Sequence, residues 1–145
     1  MGTMKSAGAP GAGQIERLPA EDEQTLRDAL AGDLDSLLPD DPPAALLHGD
    51  VWANNLLAAD GEVRALLDPA CYFGHAEVEL AYVDFGGSFG DAFFETYDDE
   101  RGIDPGFRDE RCAVYQLVPL LEHLLYFEED RYAAGLRERL TDLGY

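Results

Sequence analysis

Lysine is almost absent from this chain of 145 residues, and positive charge of any kind is scarce. Lysine and arginine together number 10, with Lys5 the single lysine, against 30 aspartates and glutamates, so the formal net charge at pH 7 is −20. A nucleic-acid-binding surface neutralises phosphates with a basic stripe, and an anionic membrane attracts basic segments. The composition therefore argues against nucleic acid and against a membrane surface as partners.

Long apolar runs and cysteines are also scarce. No stretch of 18 apolar residues occurs and the first residues carry no hydrophobic signal core, so we expect a cytoplasmic chain. The 2 cysteines, Cys71 and Cys112, lack the spacing of a metal site or a disulfide framework. We therefore expect two buried, reduced thiols that serve as small core residues.

The excess of acid has two explanations that the sequence leaves open. The acidic residues occur in short runs spread along the chain, which is typical of a solvated coat in a salt-rich, halophilic cytoplasm. The same residues would also suit a surface that binds a basic partner. The scatter of the runs favours the salt-adapted coat.

The chain divides into a short leader and one domain. Residues 1–14 are rich in Gly, Ala, Ser and Pro and predict a flexible leader, whereas residues 15–145 carry the periodic apolar positions of a core. Lys5 precedes the glycines at 8–13, and a phosphate-binding loop requires the reverse order. The leader is therefore not predicted to bind phosphate.

Helical periodicity dominates the domain, so the predicted fold class is α+β, mostly helical, with one or two small β-hairpins. The apolar run at 44–47 predicts a strand, and the runs at 55–58 and 63–67 flank an Asp-Gly turn and predict a hairpin. Apolar residues three or four apart predict helices elsewhere. The predicted helices cover residues 20–38, 76–85, 91–97, 107–127 with a kink at Pro119, and 132–143.

Polar residues that fit no core pattern cluster in the loop His48–Asn55 and at Asp68. Side chains at strand ends of a rigid scaffold commonly form sites. Asp50 lies five residues before Asn55, and Asp68 follows 13 residues later, at the far end of the hairpin. Phosphoryl transfer from ATP needs one carboxylate that accepts the proton of the attacking hydroxyl and further oxygen ligands that hold Mg²⁺. Asp50, Asn55 and Asp68 supply such a set.

This pattern resembles the protein-kinase catalytic loop, H-x-D-x-x-x-x-N followed by a metal-binding Asp. Leu67-Asp68-Pro69 replaces Asp-Phe-Gly and points to the small-molecule kinases that share the protein-kinase C-lobe. Three segments together resemble the fructosamine kinase (ketosamine 3-kinase) family, relatives of the aminoglycoside phosphotransferases: LLHGDVWANN, LLDPACYFGHAEVELAYVDFGGSFGDAFFETY and DPGFRDERCAVYQLVPLLEHLLYF. The resemblance covers about residues 42–127 and implies the C-terminal lobe of a protein-kinase-like fold.

The resemblance also implies roles for individual residues of this chain. Asp50 matches the catalytic aspartate, and Asn55 and Asp68 match the residues that bind Mg²⁺ and, through it, the ATP cofactor. The loop tryptophan and the stretch after the metal-binding aspartate match substrate-binding positions, although the last of them carries Glu where the family has Asp. The implied substrate-binding residues are Trp52, His75 and Glu79.

The implied activity is ATP- and Mg²⁺-dependent phosphorylation of ketosamines, which are fructosamine-type sugar–amine adducts, at the sugar 3-hydroxyl, as in protein deglycation. Such a kinase also needs an N-lobe with a Gly-rich strand pair and a strand lysine, and nothing before residue 42 is predicted to supply them. We therefore expect a phosphotransferase whose partners are a small-molecule or protein-bound ketosamine and an N-lobe from elsewhere. The alternative is a non-catalytic, kinase-like remnant that binds a partner or ligand.

Overall fold

Helices form most of the chain, and four short strands form two small sheets. The computed structural model describes residues 18–127 and 129–145, so the leader predicted at 1–14 lies outside the described residues. The helices are α1 Ala20–Ala31, α2 Leu34–Leu37, α3 Ala76–Gly86, α4 Asp91–Arg101, α5 Cys112–Tyr126 and α6 Asp130–Asp142. The strands are β1 Ala44–Leu47, β2 Leu56–Ala59, β3 Glu62–Leu66 and β4 Tyr72–His75. This is the predicted α+β, mostly helical architecture.

The structure also contains two shorter helical segments. A 3-10 turn, Ala53–Asn55, leads directly into β2, and a π-helical segment, Phe107–Arg111, leads directly into α5. None of the helices in the described parts of the chain is long and apolar enough to cross a membrane.

Strands β2 and β3 form the predicted hairpin. They are antiparallel, and Ala59 pairs with Glu62 directly beside the turn. Asp60 and Gly61 in the turn have φ angles of 55° and 77°. Asp-Gly is a favoured pair for such a turn because both positions require a left-handed backbone.

Strands β1 and β4 form the second sheet, which the sequence did not predict. They are antiparallel, with Ala44 opposite His75 and Leu47 opposite Tyr72. The pairing brings the two ends of segment 48–71 to neighbouring positions. This segment carries the predicted catalytic and metal-binding residues, so the sheet fixes the two ends of the segment on which they lie.

Two clusters of buried side chains stabilise the helices. The first joins α1 and α2 to α5 and α6, with Leu136 and Ala29 at 0% exposure. The second joins α3 and α4 to Phe107, also at 0% exposure. The clusters meet where α3 packs on α5, and there the buried Gln116 donates from Nε2 to the carbonyl of Ala81 at 3.1 Å.

Two ion pairs connect elements that are distant in sequence. Arg111 donates to both carboxylate oxygens of Glu77, at 2.6 and 2.7 Å, and ties the start of α3 to the π-helical segment. Arg137 on α6 donates to both oxygens of Asp22 on α1, at 2.9 and 2.6 Å. Paired N–H donors fix the orientation of a carboxylate as well as its distance. These pairs hold the outer helices in register with the core.

Two local expectations differ from the structure. The single helix predicted over 20–38 is broken at Gly32, beyond which Leu34 turns into the core at 5% exposure. Helix α5 includes Pro119, and the kink expected there stays a prediction. Cys71 is exposed in the link before β4 and Cys112 is only partly buried on α5, so the prediction of two buried thiols was wrong.

Candidate active site

Asp50 lies in the loop after β1, and both of its carboxylate oxygens accept hydrogen bonds. Oδ2 accepts from Nδ2 of Asn55 at 2.8 Å, and Oδ1 accepts from the hydroxyl of Tyr82 at 2.7 Å. Both donors are neutral, so they orient the carboxylate without cancelling its charge. An oriented carboxylate of this kind can accept the proton of a bound hydroxyl.

Glu79 on α3 holds the backbone of this loop. Its Oε2 accepts from the N–H of His48 and its Oε1 from the N–H of Gly49, each at 2.8 Å. The N–H of Asp50 in turn donates to Nδ1 of His48 at 3.2 Å. Hydrogen bonds to an ionised acceptor are stronger than neutral ones. Glu79, named above as a substrate-binding candidate, therefore acts in this structure as a positioning residue for the loop that carries Asp50.

Asn55 and Asp68 lie at the same end of the hairpin. The N–H of Leu67 donates to the carbonyl oxygen of Asn55 at 2.8 Å, which brings the next residue, Asp68, beside it. The side chain of Asn55 also donates from Nδ2 to the carbonyl of Asp50 at 2.9 Å, so its amide oxygen is the atom left for a cation. Asn55 is buried at 8% exposure, whereas Asp68 is exposed.

The donors at this end of the hairpin suit Mg²⁺. An amide oxygen and a carboxylate are hard oxygen ligands, and Mg²⁺ takes one or two such protein ligands when phosphates and water supply the rest. Among residues 18–127 and 129–145, no group of three or more His, Cys, Asp and Glu side chains could hold a metal ion. The residues therefore fit an ion that arrives with a phosphate ligand, and they do not form a self-sufficient metal centre.

Asp50 and Trp52 line a cleft of about 850 Å³ between the loop and helices α3, α5 and α6. Trp52 is 38% exposed, so part of its ring is available to a ligand. Flat apolar rings pack well on the carbon faces of sugars. The aromatic side chains that line the cleft are Trp52, Tyr82, Phe85, Tyr126, Phe127 and Tyr132.

His75 lies at the end of β4 and does not line this cleft. Its Nδ1 is 2.9 Å from the hydroxyl of Tyr115 and 3.8 Å from Oε2 of Glu77, and its side chain is 16% exposed. These contacts connect β4 to α3 and α5. The predicted substrate contact of His75 has no counterpart in this arrangement and stays a prediction.

Tyr82 is the site residue that sequence reasoning missed. It lies three residues after Glu79 on α3, so both side chains project from one face of the helix toward the loop. Burial raises the pKa of Tyr82 well above its usual value, and the hydrogen bond to Asp50 and the charge of that carboxylate raise it further. The hydroxyl therefore stays protonated at neutral pH. Its only sequence signal is the helical spacing, which any packing residue would share.

Comparison with known proteins identifies relatives of this chain. The sequence profile described as fructosamine kinase matches residues 15–143. A ketosamine-3-kinase of Mus musculus is 40% identical over 83 residues, which make up 57% of this chain and 26% of the mouse protein. A chloroplastic protein-ribulosamine 3-kinase of Oryza sativa subsp. indica is also 40% identical over 83 residues, 57% of this chain and 23% of the rice protein.

The fold is shared with a solved structure. A crystal structure from Thermobifida fusca, assigned to a fructosamine-3-kinase, has a TM-score of 0.73 and 30% sequence identity to this chain. The match covers 88% of this chain and 43% of the other. The chain thus spans less than half of that structure and about a quarter of the mouse relative. Since the family profile matches residues 15–143 of the 145, the chain belongs to the fructosamine kinase family.

Proposed function

We propose that this chain is the C-lobe of a ketosamine kinase that transfers phosphate from ATP to the 3-hydroxyl of a sugar carried on an amine. The observation that carries the proposal is the oriented carboxylate of Asp50 at the edge of an aromatic cleft, with Asn55 directly beside it. Relatives named as ketosamine-3-kinase and protein-ribulosamine 3-kinase support a ketosamine as the substrate class.

In this mechanism Asp50 acts on the sugar hydroxyl. The hydroxyl oxygen attacks the terminal phosphorus of ATP, its bond to phosphorus forms as the bond to ADP breaks, and its proton passes to Asp50. Asn55 and Tyr82 hold the carboxylate before substrate arrives, so little reorganisation is needed in the reaction. The ring of Trp52 packs against one face of the sugar. The protein thus contributes mainly position and one proton acceptor.

Asn55 and Asp68 would hold Mg²⁺ through the amide oxygen and the carboxylate. The ion supplies neutralisation of the charge on the nucleotide phosphates. Asn55 also donates to Asp50, so the same side chain sets the distance between the base and the metal ligands. Loss of either contact would misalign hydroxyl and phosphate.

An N-lobe from outside these 145 residues completes the nucleotide site in this proposal. The two sheets expose apolar side chains next to the loop, including the cross-strand neighbours Leu46 at 65% and Phe73 at 74% and, on β3, Val63 at 60%. Exposed apolar side chains commonly mark interaction surfaces, so these residues support a partner lobe on the sheets. With that side open to water, charge interactions with the phosphates are weak. We expect little or no turnover by the chain alone.

A phosphotransfer assay on a fructosamine with ATP and Mg²⁺ tests the proposal. The chain is assayed alone and with an N-lobe taken from a related fructosamine kinase, and we expect turnover only in the second case. Asp50→Asn should then lower the rate about 10²–10⁴-fold, the usual contribution of a general base. Asp60→Asn removes a carboxylate that is 91% exposed in the hairpin turn and serves as the matched control for charge.

Three results would contradict parts of the proposal. Turnover by the chain alone at about 1–100 s⁻¹ would exclude a need for the N-lobe. Equal rates for Asp50→Asn and Asp60→Asn would exclude Asp50 as the base. Absence of phosphate transfer in a folded complex of both lobes would favour the binding remnant over the kinase.

A further inference from the structure

The two carboxylate oxygens of Asp50 have different surroundings. Oδ2 accepts from Asn55, which is buried and does not line the cleft. Oδ1 accepts from Tyr82, which lines the cleft together with Asp50 itself. Two residues that line the cleft therefore bring one carboxylate oxygen and one phenolic oxygen to within 2.7 Å of each other.

Among the residues that the structure describes, the hydroxyl of Tyr82 donates a hydrogen bond and accepts none. Its single proton is donated to Asp50, and the raised pKa keeps that proton in place at neutral pH. A phenolic oxygen that donates its proton still has a lone pair, and so does a carboxylate oxygen with one partner. Both atoms are therefore suited to receive hydroxyl protons from one ligand.

We infer that Asp50 and Tyr82 together bind two neighbouring hydroxyls of the substrate, so that Tyr82 determines specificity for a sugar with an intact diol. The hydroxyl to be phosphorylated donates to Asp50, and the adjacent hydroxyl donates to Tyr82. Oxygens of neighbouring hydroxyls are spaced much like two hydrogen-bonded oxygens, which matches the pair in the cleft. The inference rests on the proposed function, in which the two groups of an open-chain ketosamine are its 3- and 4-hydroxyls.

The ring of Tyr82 is held well enough to discriminate. Its centroid lies 6.3 Å from that of Phe85, and Phe85 packs edge-on against His123 at 5.1 Å. His123 is itself fixed by a 2.7 Å hydrogen bond between its Nδ1 and the carbonyl of Pro119. This row of aromatic contacts runs from α3 to α5 and holds the ring of Tyr82 in place. The phenolic oxygen therefore cannot shift to make a new contact with a ligand that lacks the second hydroxyl.

Calorimetric binding of a fructosamine and of its 4-deoxy analogue tests the inference. Wild-type chain should bind the parent compound about three- to tenfold more tightly, the usual effect of one hydrogen bond. Tyr82→Phe keeps the ring and removes the acceptor, so the ratio of the two dissociation constants should fall to about one. A merely structural role for Tyr82 would weaken both ligands equally and leave the ratio unchanged.

Tyr126→Phe is the matched control. Tyr126 also lines the cleft but is 74% exposed, and loss of its hydroxyl should preserve the wild-type ratio of the two dissociation constants. An unchanged ratio in Tyr82→Phe would overturn the inference. A wild-type ratio of one, or no fructosamine binding by wild type, would overturn it even if the variant did not fold. Failure of the proposed function is distinct, because it would leave the binding ratio intact while a complex with an N-lobe transfers no phosphate.

Discussion

Asn55 shows how one side chain can serve two parts of a site. Its amide nitrogen is used by Asp50, in two hydrogen bonds at 2.8 and 2.9 Å, and its amide oxygen is left for a cation. In the proposed mechanism the base and the metal ligand Asn55 would therefore be in direct contact. A change at Asp50 would then reach the metal through Asn55, whereas a change at Asp68 would remove a ligand outright.

At this scale we expect Asp68→Ala to weaken Mg²⁺ binding more than Asp50→Ala does. The measurement is calorimetric titration with ATP present, because Mg²⁺ takes much of its coordination from phosphates. Asp60→Ala removes one equally negative side chain from an exposed turn and should leave the affinity unchanged. Equal losses in Asp68→Ala and Asp50→Ala would contradict the separation of metal ligand from base.

The residues that could be predicted from sequence are those that sit at fixed spacing in a loop. Asp50 and Asn55 come together because their separation is set locally, and Asp68 joins them through a tight hairpin. Glu79 and Tyr82 reach the same loop from a helix some thirty residues later. Their roles depend on how α3 packs. A helical pattern identifies the buried face of a helix but not the residues that this face contacts.

Among the elements, the loop after β1 is closely fitted to β4. Gly49 has a φ of 80°, and a Cβ placed there would lie 2.5 Å from Cε1 of Tyr72 and 3.0 Å from Cβ of Ala70. Gly61 in the hairpin turn has a similar φ of 77°, but nothing lies within 4 Å of its position for a Cβ. Substitution of Gly61 thus introduces backbone strain alone, whereas substitution of Gly49 introduces both backbone strain and steric contact.

We expect Gly49→Ala to destabilise the domain more than Gly61→Ala. Both changes force a side chain into left-handed backbone, at about 1–2 kcal/mol. Gly49→Ala adds an overpacking cost of about 1–3 kcal/mol. Chemical denaturation of both variants gives the difference in free energy of unfolding. Equal losses would show that β4 does not press on the loop.

The elements that the sequence did not reveal owe their form to distant contacts. β4 contains Gly74 and shows no clear alternation, and it becomes a strand because β1 lies opposite it. The break at Gly32 separates α1 from α2 so that Leu34 can enter the core. The hairpin and the longer helices, by contrast, carry their own turn residues and periodicity, which is why they could be predicted.

The whole molecule must fold against its own charge. At −20 the compact chain brings acidic side chains together, and this net value already includes its 10 lysines and arginines. Raising the ionic strength from about 0.1 to 1 M shortens the screening length from about 10 to 3 Å. Most of the repulsion is then removed.

We therefore expect the melting temperature to rise with KCl through the molar range. Thermal unfolding followed by circular dichroism between about 0.1 and 2 M KCl measures it. Substitution of KCl by an equal concentration of sucrose controls for solute effects that do not involve charge. A melting temperature that stays level or falls would contradict the salt-adapted coat and favour a surface for a basic partner.

The pairing of Leu47 with Tyr72 has a consequence for how members of this family diversify. Segment 48–71 leaves the domain and returns to it at adjacent points, carrying Asp50, Asn55 and Asp68 with it. The segment can change in length, or it can be replaced by the whole segment of another family member. Neither change redirects the chain before or after the paired residues Leu47 and Tyr72. The contacts to be matched include those with Glu79, Tyr82 and Ser88, so α3 and the residues that follow it decide which transplants work.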